Sequence, residues 1–375
     1  MERISEMAKK NLTVKQASVK KPDEKKKSLE EYEQEKPLQL NFFTLLDYPS
    51  EDRKYSNTLT FYDFIPRFFW GKSKRENGKY LPILKRDFHY QKQDYKLSII
   101  PARVESSDGT EKDYYPGQCE ELVEDALKKL AVEGHCVFLD GRAAIIFNIH
   151  QIQEQLNRGK EIDQEGKQKG HTLSYEEIKE ALTVLSRTTL QVKSIDGTAV
   201  LNSHIIEELG IKTRAEWKGK VSKDERCYVI FNNLITSMIK DYKFRRFNYE
   251  KLISLKRVIA RQLFKRMSHH YKQASDKFPY TILLSTMDRD FGLEKRKQLR
   301  NRLGEAREAL QEMIEKKVIK SYKESLIMNS RSLRKIEDVS FELTPSDEFI
   351  DDTIHANEKA RRIEMIKAIQ EKDKE

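Results

Sequence analysis

One stretch, FPYTILLSTMDRDFGLEKRKQLRNRLGEAREALQEMIEKKVIK from Phe278 to Lys320, constrains the chain more than any other. Its aromatic and β-branched start predicts a strand, and a short helix follows, with Ser285 placed to cap it and Gly292 to make the turn. Leu299, Leu303, Ala306, Leu310 and Met313 then recur at helical spacing. They predict one long helix from near Glu294 with an apolar stripe turned inward. A hairpin, VIKSYKESLI with VSFEL, closes the unit. Strand, short helix, turn, long helix and hairpin is the order of a winged helix-turn-helix, a module whose second helix enters the DNA major groove.

The charge on the long helix bears on function. Lys295, Arg296, Lys297, Arg300, Asn301 and Arg302 fall mainly off the apolar stripe at its N-terminal end, and Glu305, Glu308, Glu312 and Glu315 occupy the other end. The helix dipole favours the reverse order, so the gradient points to an external anion rather than to an ordinary solvated face. Arginine can bond both acceptors of a guanine edge and Asn301 can pair with adenine, while lysines more often meet phosphate. Arg331 and Arg334 flank the hairpin, where a wing lies beside the DNA backbone.

From Lys240 to Lys272 there are eleven Lys or Arg against two acids. YEKLISLKRVIARQLFKRMSHHYK reads as one helix. Leu252, Leu255, Ile259, Leu263 and Met267 face inward, and Arg257, Arg261 and Lys265 form a basic outer face. The sequence assigns residues 226–343 to a second winged-helix domain, the main DNA reader. Residues 115–225 repeat its order: a helix at YYPGQCEELVEDALKKLAVEG, the strand pair CVFLDGRAAIIFNI, a helix capped by Asn148, a helix opened by the capping box Ser174-x-x-Glu177, and a hairpin around Asp196-Gly197. The reading helix of this first copy carries only Lys179 and Arg187 against three glutamates, which favours an assembly role, namely dimerisation.

The flanks differ in composition. Residues 1–37 are Lys- and Glu-rich and read as a disordered arm. Residues 38–114 form a small β-rich region, in which Phe61, Tyr62, Phe64, Phe68, Phe69 and Trp70 read as packing rather than as a base-stacking surface. Gly71-Lys72-Ser73 mimics the end of a phosphate-binding loop, but the required earlier glycine is Pro66. Residues 344–375 form a helical tail with Ala360, Ile363, Ile366 and Ile369 on one face, suited to the body or to a partner. The fold class is thus α+β, with tandem winged helices behind a β-rich region and an arm.

Net charge is +10 and charged residues make up 35% of the chain. This balance favours nucleic acid as partner. Cys119, Cys136 and Cys227 lack zinc or disulfide spacing, and there is no leader-like or membrane-spanning apolar run. These features imply a cytoplasmic protein with no membrane partner. His269-His270 splay too far apart on a helix to chelate one metal, and Asp288 and Asp290 lack neighbouring carboxylates. No catalytic constellation, cofactor or metal site is expected.

Tandem winged helices joined through LISLKRVIARQLFKRMSHHY resemble, over about residues 115–343, the replication initiator (Rep) proteins of iteron-containing plasmids. The resemblance implies binding of double-stranded DNA at repeated origin sequences, origin opening, and recruitment of the host initiator and helicase. It also implies a monomer–dimer equilibrium and autorepression. DNA contact carries over to Lys295, Arg296, Lys297, Arg300 and Arg302, with Arg331 and Arg334 in the wing. A winged-helix transcriptional repressor without initiator activity is the alternative.

Overall fold

Two apolar cores share the chain, and strands contributed from distant parts of the sequence tie them together. The computed structural model describes residues 54–71, 80–105, 109–158, 172–211, 227–293, 298–329 and 332–372, all within the compact unit Leu40–Glu375. The arm, the run at 38–46 and the segment 294–297 lie outside the described residues.

The N-terminal elements are β1 (Tyr55–Leu59), β2 (Leu84–Tyr90), β3 (Gln93–Ile100), β4 (Ala102–Glu105), β5 (Glu111–Tyr114) and α1 (Gln118–Leu130). There follow β6 (Cys136–Leu139), β7 (Arg142–Phe147), α2 (Ile149–Asn157), α3 (Tyr175–Arg187), β8 (Thr189–Ser194), β9 (Ala199–His204) and β10 (Ile206–Gly210). Then come β11 (Cys227–Phe231), α4 (Asn233–Lys240), β12 (Phe244–Asn248), α5 (Tyr249–Ser254) and α6 (Val258–His270). The chain continues with β13 (Tyr280–Leu283), α7 (Leu284–Asp290), α8 (Leu299–Glu315), β14 (Ile319–Asn329), β15 (Ser332–Pro345) and α9 (Asp347–Lys372).

In the first half, the expected Asn148 cap and Ser174 capping box both form: Asn148 accepts from the Gln151 amide and Ser174 from the Glu177 amide. Val123, Leu127, Ile152, Ile178, Leu182 and Leu185 seal α1, α2 and α3 into the first core, each fully buried. The hairpin β8–β9 turns at Gly197, whose φ of 88° favours glycine.

The element order matches the sequence reading, and β6 pairs with β7 and β8 with β9, but each sheet also draws strands from elsewhere in the chain. β7 joins a sheet of order β10-β11-β7-β6, and β2-β3 lies beside β8 in the sheet β2-β3-β8-β9. Thus the β-rich region 38–114 does not stand apart; its hairpin completes the first half. Nor does the second half begin at 226. Cys227, Val229, Phe231, Ile235 and Met238 belong to the first core, and the cores meet in β12, with Phe244 in one and Phe247 in the other.

In the second half three helices gather on a three-stranded sheet. α6, α7 and α8 pack on a sheet of order β13-β15-β14, and Leu263, Met267, Met287, Leu310, Met313 and Phe341 are buried to 2% or less. The single basic helix read from the sequence is two helices. Leu255 is extended, with φ −82° and ψ 122°, and 1% exposed. At the break, the Glu312 carboxylate accepts the amides of Lys256 at 2.7 Å and Arg257 at 2.9 Å, capping α6 from outside.

Three devices join the halves. β1 pairs with β12 across nearly two hundred positions of sequence, from Tyr55↔Asn248 to Leu59↔Phe244. α9 runs along both cores, burying Phe349 in the second and Ile363 in the first, while Asp352 accepts from Tyr55 and Asn248. So the tail helix docks on the body.

The third device is a buried lattice of charge between α1, α6 and the 63–67 turn. Glu121 accepts from Arg261 Nη2 at 2.7 Å and from Gln262 at 2.6 Å, and Lys265 reaches Asp125 at 2.5 Å. Arg67 chelates Glu124, and Lys128 lies 2.6 Å from Asp63. Four acids face four bases, each 8% or less exposed at the side chain. Burial raises the Asp63 carboxyl, but Lys128 and Arg67 outweigh it and hold it at about 2. Burial likewise raises Glu121, and Arg261 and Lys265 bring it below its ordinary value.

Candidate nucleic-acid interface

The candidate interface begins where β13 delivers the chain into α7. Ser285 does not cap that helix, whose N-cap position is Leu283. Its amide and hydroxyl instead bond the Asp338 carboxylate, pinning α7 to β15 of the wing. The turn after α7 has Gly292 at φ 65°. A Cβ there would lie 2.5 Å from Arg86 Nη1 and 3.2 Å from Pro66 Cβ, so any other residue would be strained by its φ and would push the Arg86 guanidinium aside. Trp70 Nε1 donates to the Phe291 carbonyl at 2.6 Å, and Arg86 Nη1 donates to the carbonyls of Pro66 and Phe68 at 2.5 and 2.6 Å. The turn is therefore seated on the N-terminal region. Sequence reading gave Trp70, Arg86 and Gly292 no joint role, because the contact joins positions more than two hundred apart.

α8 begins at Leu299, with N-cap Gln298 making no side-chain cap and no acid in the first turn. Arg300 and Asn301 are exposed there, and Arg300 makes no ion pair among the described residues. Arg302 turns back to Asp288 and is 28% exposed. The acidic end is engaged within the protein: Glu308 lies 2.6 Å from Arg257 Nη1, and Glu312 caps α6. Those acids thus have an internal reason that the dipole reading did not contain. At the basic end, among the described residues, Arg302 has such a partner in Asp288 and Arg300 makes no ion pair.

The other expected residues divide sharply. Lys295, Arg296, Lys297 and Arg331 lie outside the described residues, and only the backbone of Arg334 is described, in β15. Arg257 is 48% exposed at its side chain while paired with Glu308. Arg261 and Lys265 are corrections: at 1% and 5% exposure they sit in the buried charge lattice, where no phosphate reaches them. A basic stripe on a helix was read as solvent-facing, whereas α1 presents an equally dense acidic stripe to it. His269 is buried as well. It is 7% exposed, its Nδ1 lies 3.1 Å from Thr58 Oγ1, and burial, with His270 and Arg245 nearby, lowers it to about 3. Asp288 and Asp290 serve as ion-pair partners, Asp290 taking Arg266 at 3.0 Å and Arg289 at 2.7 Å. Among the described residues no helix is long and apolar enough to cross a membrane.

No family model and no curated protein matches the chain. Solved structures do. The crystal structure of RctB domains 2-3 aligns with a TM-score of 0.43 at 10% identity, covering 75% of this chain and 96% of that one. A selenomethionine derivative of RctB domains 2 and 3 gives 0.43 and 10%, covering 72% and 94%. The Pi initiator protein in complex with iteron DNA gives 0.38 at 15% identity, covering 66% and 98%. One neighbour is thus an initiator held on DNA. Likeness this distant assigns no residue a role.

Proposed function

We propose that this chain is a sequence-specific DNA-binding initiator of plasmid replication, with α8 as its reading helix. The observation that carries the reading is the division of labour along α8. Glu308 and Glu312 are engaged by α6, whereas Arg300 and Asn301 are exposed at the N-terminal end, where Gln298 makes no side-chain cap. A helix about 10–12 Å across fits the major groove, about 12 Å wide, and Arg300 and Asn301 carry the donors that guanine and adenine edges accept. Lys295, Arg296 and Lys297, just upstream in sequence, add phosphate and base contacts.

In this reading the protein binds direct repeats at an origin, helps open the adjacent duplex, and recruits the host initiator and helicase in the cytoplasm. It acts by binding, with no catalysis, cofactor or metal. The first half, whose α3 offers few cations, serves a monomer–dimer equilibrium and autorepression. The test is replication itself. The gene with its flanking DNA, joined to a selectable marker lacking any other replicon, should yield maintained plasmids. No transformants, together with protection of a single palindrome at the gene's own promoter, would leave a repressor instead.

A further inference from the structure

The wing carries a feature that phosphate contact does not explain. β14 and β15 continue past the sheet as a two-stranded ribbon, on which Leu326, Ile327 and Met328 are 52%, 38% and 38% exposed. Consecutive exposed apolar residues on a free ribbon are an aggregation liability unless something covers them. From Ser325 to Ile336 the sequence holds Arg331, Arg334 and Lys335 and no acid. In sequence the apolar edge runs on into three cations. The carboxylate of Asp338, which the paired strand sets opposite Ile327, is already engaged by Ser285, so the cations suit an anionic partner with apolar surfaces of its own.

Geometry places that edge beside the reading helix. α8 and β14 run antiparallel, and Arg307 chelates Glu324 at 2.8 and 2.7 Å, which fixes their register. From Arg307 back to Arg300 the helix rises about 10 Å, and from Glu324 to Ile327 the strand advances by about 10 Å. Leu326 to Met328 therefore stand abreast of Arg300. Leu326 lies opposite the buried Val339, on the face turned toward α8, and Ile327 opposite Asp338, on the other face.

We propose that Leu326, Ile327 and Met328 form an apolar wedge that enters the DNA minor groove next to the major groove occupied by α8, packing on deoxyribose and base edges. The proposal rests on α8 being the DNA reader. It gives the wing a shape-reading part: A·T-rich segments with narrow, deformable minor grooves should be preferred on that flank.

The test uses the full chain and a duplex of about three helical turns recovered by the wild-type protein from a randomised pool. Replacing all three residues by serine should weaken binding about tenfold without changing the salt slope, since no phosphate contact is lost. The outward-facing Ile327→Ser alone, which leaves the face toward α8 intact, should lose part of that affinity. A minor-groove ligand such as distamycin should compete with wild type more strongly than with the triple variant. Wild-type affinity in the triple variant, alongside weakened binding by Arg300→Ala, overturns the wedge and leaves the reading helix standing. Unchanged DNA affinity with lost self-association in sedimentation would assign the edge to a second copy. If the wild-type protein recovers no duplex, both readings fall.

Discussion

Removing one acid from the buried charge lattice tests whether Arg261 and Lys265 hold the halves together rather than DNA. In Glu121→Ala, Arg261 loses both of its bonds to the carboxylate, at 3.1 and 2.7 Å, and Gln262 loses one at 2.6 Å. Lys265 keeps Asp125. An unpaired buried charge costs about 3–5 kcal/mol, most of it the desolvation that Glu121 no longer offsets. Urea denaturation should therefore show a midpoint lowered by more than 1 M, given a slope of about 1–3 kcal/mol per molar. Replacing both partners, as Glu121→Leu with Arg261→Met, should recover much of that loss, because the pair's own net worth is small. Arg261→Ala should destabilise while leaving the salt slope of DNA binding unchanged. A variant of Arg261 as stable as wild type but with a shallower salt slope would refute the assignment and return this arginine to the DNA surface.

Gly292→Ala forces a left-handed φ on an L-residue and displaces Arg86 from two carbonyls, so stability should fall by about 2–4 kcal/mol; an alanine variant with wild-type thermal unfolding would show that the turn is not seated as described. Acid should loosen the β1–α6 contact. His269 is held at about 3, well below its ordinary 6.5. The unfolded chain then binds the extra proton first, so stability is full above pH 6.5 and declines as pH falls toward 3. His269→Gln should flatten that limb, and an unchanged acid limb would contradict the buried, neutral imidazole. Below pH 4, Asp63, held at about 2, should add a second loss that runs through pH 2 and is complete only below it.

Local rules made part of this protein legible. Asn148, Ser174, the Asp196-Gly197 turn and the Leu299–Met313 stripe act over a few residues, and each forms as the sequence implies. Long-range pairing was not legible. β1 with β12, β3 with β8, and Trp70 on Phe291 depend on which distant strands and rings meet, and no spacing encodes that. The misreading of Arg261 and Lys265 has the same origin. One helix shows where its charges lie, and only the facing helix shows whether they meet water, phosphate or carboxylate. The break at Leu255 went unseen because the cap that permits it, Glu312, comes from another helix.

The most direct test of the central claim is the affinity of Arg296→Ala/Arg300→Ala for a duplex selected by the wild-type chain, measured beside its circular dichroism. Loss of specific binding with helicity intact is the expected result. Unchanged affinity for that duplex would remove α8 from the DNA, and with it the initiator reading built on it.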